Sequence, residues 1–352
     1  MADTRLPVGA AEASASARHA VEAPAWRSYL PVVVTAAVLA AVPLVIGDSR
    51  YLLGLAVLAL AYAGYGVGFN IIFGNTNQLF LCVGALAGVG AYGSTVLGNE
   101  AELPMLVTIP LSVAIAALLG AVFSWVSVRR QLDVIFVGII TLTFSLMFLN
   151  LLLGQRNLTG GETGLVILYD AGIVGARGLS SYYVFLAVLV GYLAIHRWIQ
   201  RSHVGWAFRA LRDDEVAAEL SGIDVARYKM LGGAVGAAMV GLVGSLYAHY
   251  EGFISPTTFE LGNVDGPVLV MRAFGGIGSL LAPVVGSAVF TVIDELLRPL
   301  SQLRNAVYGV ILLALFLGFR RGVIPTAGDL ARRLTRRRDR SGGAADDQHG
   351  AE

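Results

Sequence analysis

The chain has 352 residues, 56% of them hydrophobic and 14% charged, with a mean hydropathy of +0.70. Soluble domains carry about 25% charged residues, so this balance excludes an ordinary water-soluble protein and predicts a polytopic membrane protein. The formal net charge of +1 gives no reason to expect a nucleic-acid partner; the expected surroundings are membrane lipid.

Residues 1–28 hold Ala, Ser, Glu and Arg without the apolar core of a cleavable signal peptide, and are expected to form a disordered cytoplasmic lead. A bilayer core of about 30 Å takes about 20 apolar residues, and in lipid only a helix satisfies its own backbone here. That ruler predicts an all-α fold with about ten transmembrane helices, at 29–46, 52–73, 79–97, 104–127, 134–154, 182–199, 230–250, 266–274, 280–297 and 305–319. The run at 266–274 is too short to cross comfortably. It reads as a re-entrant or broken helix ending at Gly275, Gly276 and Gly278, a candidate gate together with Arg272, which must snorkel, meet water or pair, with Asp265 a candidate partner seven residues away. The transmembrane domain is taken as 29–322, with a basic then acidic disordered tail at 323–352.

Lys and Arg gather in cytoplasmic loops. With both termini inside an inner (plasma) membrane, Arg129, Arg130, Arg197, Arg201, Arg209, Arg212, Arg227, Lys229 and the basic tail all fall inside. Outside lie sparse loops bearing Glu100, Glu102, Arg156, Glu162, Asp170, Arg177, Glu251 and Glu260; Arg298 and Arg304 fall outside against the rule. The 43 glycines cluster within spans, as at Gly64, Gly66 and Gly68, Gly84 with Gly88, and Gly232 with Gly236. Close helix packing is the favoured expectation over a glycine-lined conduit.

Polar residues within apolar runs need partners away from lipid. Asn70, Asn75, Thr76, Asn77 and Gln78 are expected at a hydrated turn between the second and third spans, or lining a path. Thr141, Thr143, Ser145 and Asn150 in the fifth span either bond back to carbonyls or face a cavity. The candidate translocation path is therefore Asn70, Asn75, Asn77, Gln78, Thr141, Ser145 and Asn150.

Several chemistries find no support. Cys82 is the single cysteine, the five histidines lack metal-ligand spacing, and no nucleophile, base and orienter stand together. No metal, cofactor or catalytic set is proposed, and a membrane enzyme is not expected. Mid-span carboxylates are nearly absent, which argues against a proton- or sodium-coupled carrier. Lys229 is the only lysine and is flanked by Tyr228 and Met230, so no phosphate-binding loop exists here. An energy source must lie on another chain.

The cytoplasmic loop at 200–229 supplies a place to meet one. In RDDEVAAELSG, Asp213 is expected to cap a two-turn helix with Asp214 and Glu215 at its positive end and Gly222 at its C-terminal cap. Ala217, Ala218 and Leu220 would form a small apolar face, with Trp206 and Phe208 just upstream and Arg209, Arg212 and Ile223 around it. Such a knob suits a groove on a soluble partner.

These residues carry a resemblance. RALRDDEVAAELSGIDVARYKML, GLVGSLYAHYEGFISPTTF and FGGIGSLLAPVVGSAVFTVIDELLR, together with LTGGETGL at 158–165 and YGVILLALFLGFRRG from Tyr308, resemble the permeases of branched-chain amino acid ABC transporters, LivM type. The similarity covers most of residues 50–323. It implies a type II importer-like permease working with a second, LivH-like permease, two cytoplasmic ATPase subunits and an extracytoplasmic substrate-binding protein. Glu215, Ala217, Ala218 and Gly222 fall on the family's E-x-AA-x-x-x-G coupling pattern. Two departures stand out: Phe80, Leu81, Cys82 and Val83 replace a common Ser-Leu-Gly-His run, and Arg320 and Arg321 replace a proline-bearing end of the last span. Leu, Ile and Val are the cargo the resemblance implies. Urea, short amides and other amino acids stay open, as does a self-contained channel or facilitator.

Overall fold

A computed structural model of the chain describes residues 29–47, 49–168, 174, 178–275, 280–299, 306–307 and 309–310. The N-terminal lead, the tail with Arg320 and Arg321, most of the span at 305–319, and the candidate gate residues Gly276 and Gly278 lie outside them. Helix α1 (Leu30–Ile46) precedes α2 (Arg50–Phe69), which runs on into a π-helical segment at Asn70–Asn75. After an extended stretch come α3 (Val83–Ala101), α4 (Met105–Arg129) and α5 (Val134–Gly154), then the short α6 (Arg156–Thr159), a 3₁₀ turn and β1 (Leu165–Val166). Helix α7 (Leu179–Arg201) leads through α8 (His203–Asp213) and α9 (Glu215–Leu220) to α10 (Val225–Glu251). Strand β2 (Phe253–Ile254), a second 3₁₀ turn (Pro256–Phe259), α11 (Asp265–Gly275) and α12 (Ala282–Leu297) complete the described elements.

Among the described residues, five segments are long and apolar enough to cross a membrane: Arg50–Asn75, α4, α5, α7 and α10. Helix α1 is apolar but has 17 residues. The third expected span starts later than its apolar run, because residues 77–82 stay non-helical before Val83. Outward faces of α4 and α5 expose Leu106, Leu118, Ile135 and Phe136, surface that must meet lipid or another apolar chain.

The core is built around α10. Its glycines face the backbones of three other helices with no side chain between them. A Cβ added at Gly90 would run into the Gly241 carbonyl, one at Gly120 into the Gly233 carbonyl, and one at Gly244 into the Ala87 carbonyl. At Gly68 a Cβ would lie 2.8 Å from the Gly236 oxygen. Helices α2, α3 and α4 therefore touch α10 backbone to backbone, the close contact that small residues permit where lipid supplies no hydrophobic drive. Hydroxyls at these seams are satisfied within their own helices: Ser124 Oγ donates to the Gly120 carbonyl at 2.9 Å and Ser245 Oγ to the Gly241 carbonyl at 3.0 Å. Tight packing, not a glycine-lined conduit, accounts for these positions.

On the side opposite the α8–α9 loop, β1 and β2 pair antiparallel, Leu165 opposite Ile254. Asn99 clasps this pairing, donating to the Val166 carbonyl at 2.8 Å and accepting from Leu168 N at 3.0 Å.

Gly90→Ala and Gly244→Ala are each expected to cost about 1–3 kcal/mol, the scale of overpacking, and to lower the thermal midpoint in detergent. Gly191→Ala, with open space around its Cβ position, should leave that midpoint unchanged or raise it.

Candidate coupling loop and translocation region

Helix α8 turns Gly205, Ala207, Phe208 and Leu211 inward and leaves Trp206, Arg209 and Arg212 exposed. The Arg209 guanidinium stacks over the Trp206 ring, 4.4 Å from its centroid. Asp213 is the last residue of α8, because Asp214 N still bonds to the Ala210 carbonyl. Asp214, with φ −160° and ψ 113°, is the cap of α9, and its carboxylate accepts from Val216 N at 2.9 Å and Ala217 N at 3.0 Å. The cap expected at Asp213 thus sits one residue later, and α9 has six residues, slightly under two turns. Its end matches expectation. Gly222 adopts φ +84°, Gly222 N bonds to the Glu219 carbonyl at 2.9 Å, and Ile223 N reaches the Ala218 carbonyl at 3.1 Å, the paired closure of a Schellman turn.

The apolar face of α9 is divided. Ala218 is buried, whereas Ala217 is exposed, Leu220 is 85% exposed and Val216 66%. Trp206, at 68%, Val216 and Leu220 are the large exposed apolar side chains of α8 and α9, on helices that also expose Arg209, Arg212, Asp213 and Glu219. Val216 was not singled out from the sequence, although its place in the first turn of α9 beside the cap was a usable signal.

Glu215 does not stand free. Its carboxylate takes the Lys229 ammonium at 2.6 Å, and the Lys229 side chain is 7% exposed. The Lys229 carbonyl accepts from Gln78 Nε2 at 3.2 Å, and the same nitrogen donates to Thr76 Oγ1 at 2.8 Å. The cluster expected at a hydrated turn is therefore largely interior: Asn70, Thr76 and Gln78 are buried, and only Asn77, at φ +53°, is exposed. Asn75 lines a cleft of about 240 Å³ with Gln200, Gly205, Phe208, Arg209 and Arg212, which brings one candidate path residue to the candidate coupling loop.

The fifth-span polar residues fall on two faces. Thr141 and Ser145, four apart, are buried; Thr143 and Asn150 are exposed and bond back to the carbonyls of Ile139 and Leu146. Thr141 Oγ1 donates to the Val137 carbonyl at 2.9 Å and accepts from Leu81 N at 2.9 Å, so it holds the extended 77–82 stretch. These seven candidate path residues do not line one common channel in this single chain.

Helix α11, with 11 residues, begins level with the middle of α2, where Tyr62 Oη donates to the Asn263 carbonyl at 2.8 Å. Asp265, the candidate partner of Arg272, is 1% exposed and does not pair with it; its two oxygens accept from Val83 N at 2.6 Å and Gly84 N at 3.1 Å. The free amides of the α3 N-terminus attract the carboxylate, and a Cβ at Gly84 would block its approach. Arg272 instead donates to Asn70 Oδ1 at 3.1 Å and lies 4.4 Å from the Phe73 ring centroid.

A cavity of about 590 Å³ that the sequence did not signal opens beside Tyr62, Tyr65, Tyr247, Glu251 and Asp294. At its rim, Tyr51 Oη contacts both Glu295 and Arg298, linking the start of α2 to the end of α12. Arg298 also pairs with Glu295 at 3.5 Å.

Sequence comparison decides what this helical assembly is. The family profile described as branched-chain amino acid transport system / permease component matches residues 51–319. The chain belongs to that family. It is 26% identical over 303 residues to the high-affinity branched-chain amino acid transport system permease protein LivM of Escherichia coli (strain K12), covering 79% of this chain and 71% of that protein. The LivM protein of Salmonella typhimurium is 25% identical over the same shares. The LivH permease protein of Salmonella typhimurium is 26% identical over 68% of this chain and 82% of its own length. No solved structure matches the chain. As a family member this permease is a multi-pass membrane transport component, similar both to LivM and to LivH.

Asp214→Ala should cost α9 about 1 kcal/mol through its lost cap, and Gly222→Ala about 1–2 kcal/mol because a Cβ disfavours the left-handed conformation. Faster amide exchange across residues 215–221 in both variants is the measurement. Asp265→Ala strands two buried amides at an expected cost of about 1–3 kcal/mol, read as a lowered thermal midpoint.

Proposed function

We propose that this permease is one of two membrane subunits of an ABC importer, delivering branched-chain amino acids handed over by an extracytoplasmic binding protein and driven by two cytoplasmic ATPases. The observation that carries the reading is the capped helix α9, which presents Val216 and Leu220, with Trp206 exposed on α8. A membrane helix bundle has no use for exposed apolar side chains on a charged loop unless a partner covers them. Arg209, Arg212, Asp213, Asp214, Glu215, Ala217, Ala218, Gly222 and Ile223 form or support this ATPase-facing surface, with Glu215 serving from within through Lys229.

In this reading the chain crosses the membrane ten times with both termini and the loop at 200–229 in the cytoplasm, and residues 29–322 are the permease domain. The eighth crossing is shared by the irregular stretch after β2 and the short helix α11. Arg272, Gly275, Gly276 and Gly278 act as the gate. ATP-driven closure of the ATPases rocks the two permeases between outward- and inward-open states, and polar groups among Asn70, Asn75, Asn77, Gln78, Thr141, Ser145 and Asn150 face the route in one of them. The LivM and LivH names of its relatives support a LivH-like second permease and Leu, Ile and Val as cargo.

Leu220→Arg changes an exposed side chain without backbone strain. Affinity purification of the tagged wild type in mild detergent should recover a second permease and an ATPase pair, and Leu220→Arg should lose the ATPases while keeping the permease. Recovery of the chain alone, with ATP-independent leucine uptake in liposomes, would replace the importer by a facilitator.

A further inference from the structure

We infer that Lys229 is the positioning residue that makes the coupling helix α9 and the buried junction between α2 and α3 move as one piece. The inference rests on the proposed ATPase docking at α9. Three contacts converge on this one residue and its neighbours. The ammonium holds the Glu215 carboxylate at 2.6 Å, in the first turn of α9. The carbonyl, whose second lone pair is open to a side chain even inside a helix, takes Gln78 Nε2 at 3.2 Å. Three residues on, a Cβ at Gly232 would collide with the Thr76 side chain, so α10 and the junction have no slack between them.

The chemistry is specific. An exposed Lys–Glu pair adds little, but this ammonium is 7% exposed while Glu215 is 45% exposed. Removing Glu215 would leave a nearly buried charge unpaired, and such a charge disfavours any state in which the pair is pulled apart. A push on α9 therefore reaches α10 through Glu215 and Lys229, and reaches Gln78 and Thr76 in the same movement. Gln78 Oε1 has no partner among the described residues, so the side chain is held through its amide nitrogen alone and follows Lys229. The edge-to-face pair Phe208–Tyr228, with centroids 6.3 Å apart, fixes α8 to α10 next to this point and keeps α9 from swinging independently. Lys229 thus acts through other groups and touches neither cargo nor nucleotide.

The test reconstitutes the assembled transporter with its ATPases, second permease and binding protein in liposomes, and reads leucine uptake and ATP hydrolysis in the same vesicles. Lys229→Met and Gln78→Leu break the chain of contacts at opposite ends. Lys229→Met is expected to lower uptake per ATP hydrolysed about tenfold, the scale of one charge-assisted hydrogen bond, and Gln78→Leu about fivefold, the scale of a neutral one, each with the concentration of loaded binding protein at half-maximal hydrolysis unchanged. Lys229→Arg should restore part of the ratio. Lys229→Met should recover the ATPases and the second permease as wild type does yet stay uncoupled, whereas loss of a merely structural contact would lower recovery and leave the ratio of the assembled fraction unchanged. An unchanged ratio in Gln78→Leu, or a wild-type ratio in Lys229→Met, overturns the inference while ATP-driven uptake by wild type leaves the importer reading standing. ATP-independent uptake by wild type overturns both.

Discussion

Backbone-to-backbone contact between α10 and its neighbours is the constraint on which the rest of the structure depends. In lipid no hydrophobic force presses helices together, so adhesion comes from dispersion at short range and from polar groups that have nowhere else to go. Gly233, Gly236, Gly241 and Gly244 let α10 meet the carbonyls of Gly120, Gly68 and Ala87 and the glycine at position 90 with no side chain between. Helices packed this closely cannot slide past one another without collision. Helix α10 is also continuous from the cap at Asp224, close in sequence to α9, to Glu251 at the opposite end, so a displacement at one end is delivered at the other.

Around that rigid unit the chain breaks its helices in two places, and one carboxylate joins them. The extended residues 77–82 and the late start of α11 both leave backbone amides and carbonyls without helical partners, which apolar surroundings penalise. Thr141 serves Leu81, Tyr62 serves Asn263, and Asp265 serves Val83 and Gly84. Irregular backbone is kept where protein can satisfy it, and discontinuous helices of this kind are where transporters place binding sites and gates. The cavity beside Tyr62, Tyr65 and Tyr247 opens next to this region.

Much of this was legible in the sequence where the governing interactions are local. The long spans follow from apolar length, and Gly222 from the need for a left-handed residue after a short helix. The family followed from the loop around Glu215 and the glycine-rich run that starts at Gly275, and the profile match over 51–319 agrees with the expected extent. The cap moved from Asp213 to Asp214 because two adjacent acids offer the same chemistry, and the choice depends on α8 continuing until Leu211 is buried. The i, i+4 spacing of Thr141 and Ser145 set them apart from Thr143 and Asn150, a signal present but unused. Contacts between distant segments were not readable: Asp265 meets Val83 across 182 residues, and Arg272 meets Asn70 across 202. Seven residues along a helix put Asp265 and Arg272 on similar faces, but the nearer amides of α3 claim the carboxylate first.

The most direct test of the central claim, that α9 moves together with the glycine-packed unit around α10, is a pair of spin-label distances in the assembled transporter. Cys82 is buried, so label goes to cysteines introduced at exposed positions. One pair joins Leu220 to Arg129 at the end of α4; the other joins Leu220 to the matching loop of the second permease. Between the resting and ATP-trapped states, the account predicts an unchanged distance for the first pair and a changed distance for the second. A shift in the first pair would mean that α9 swings on its own, and would contradict the account.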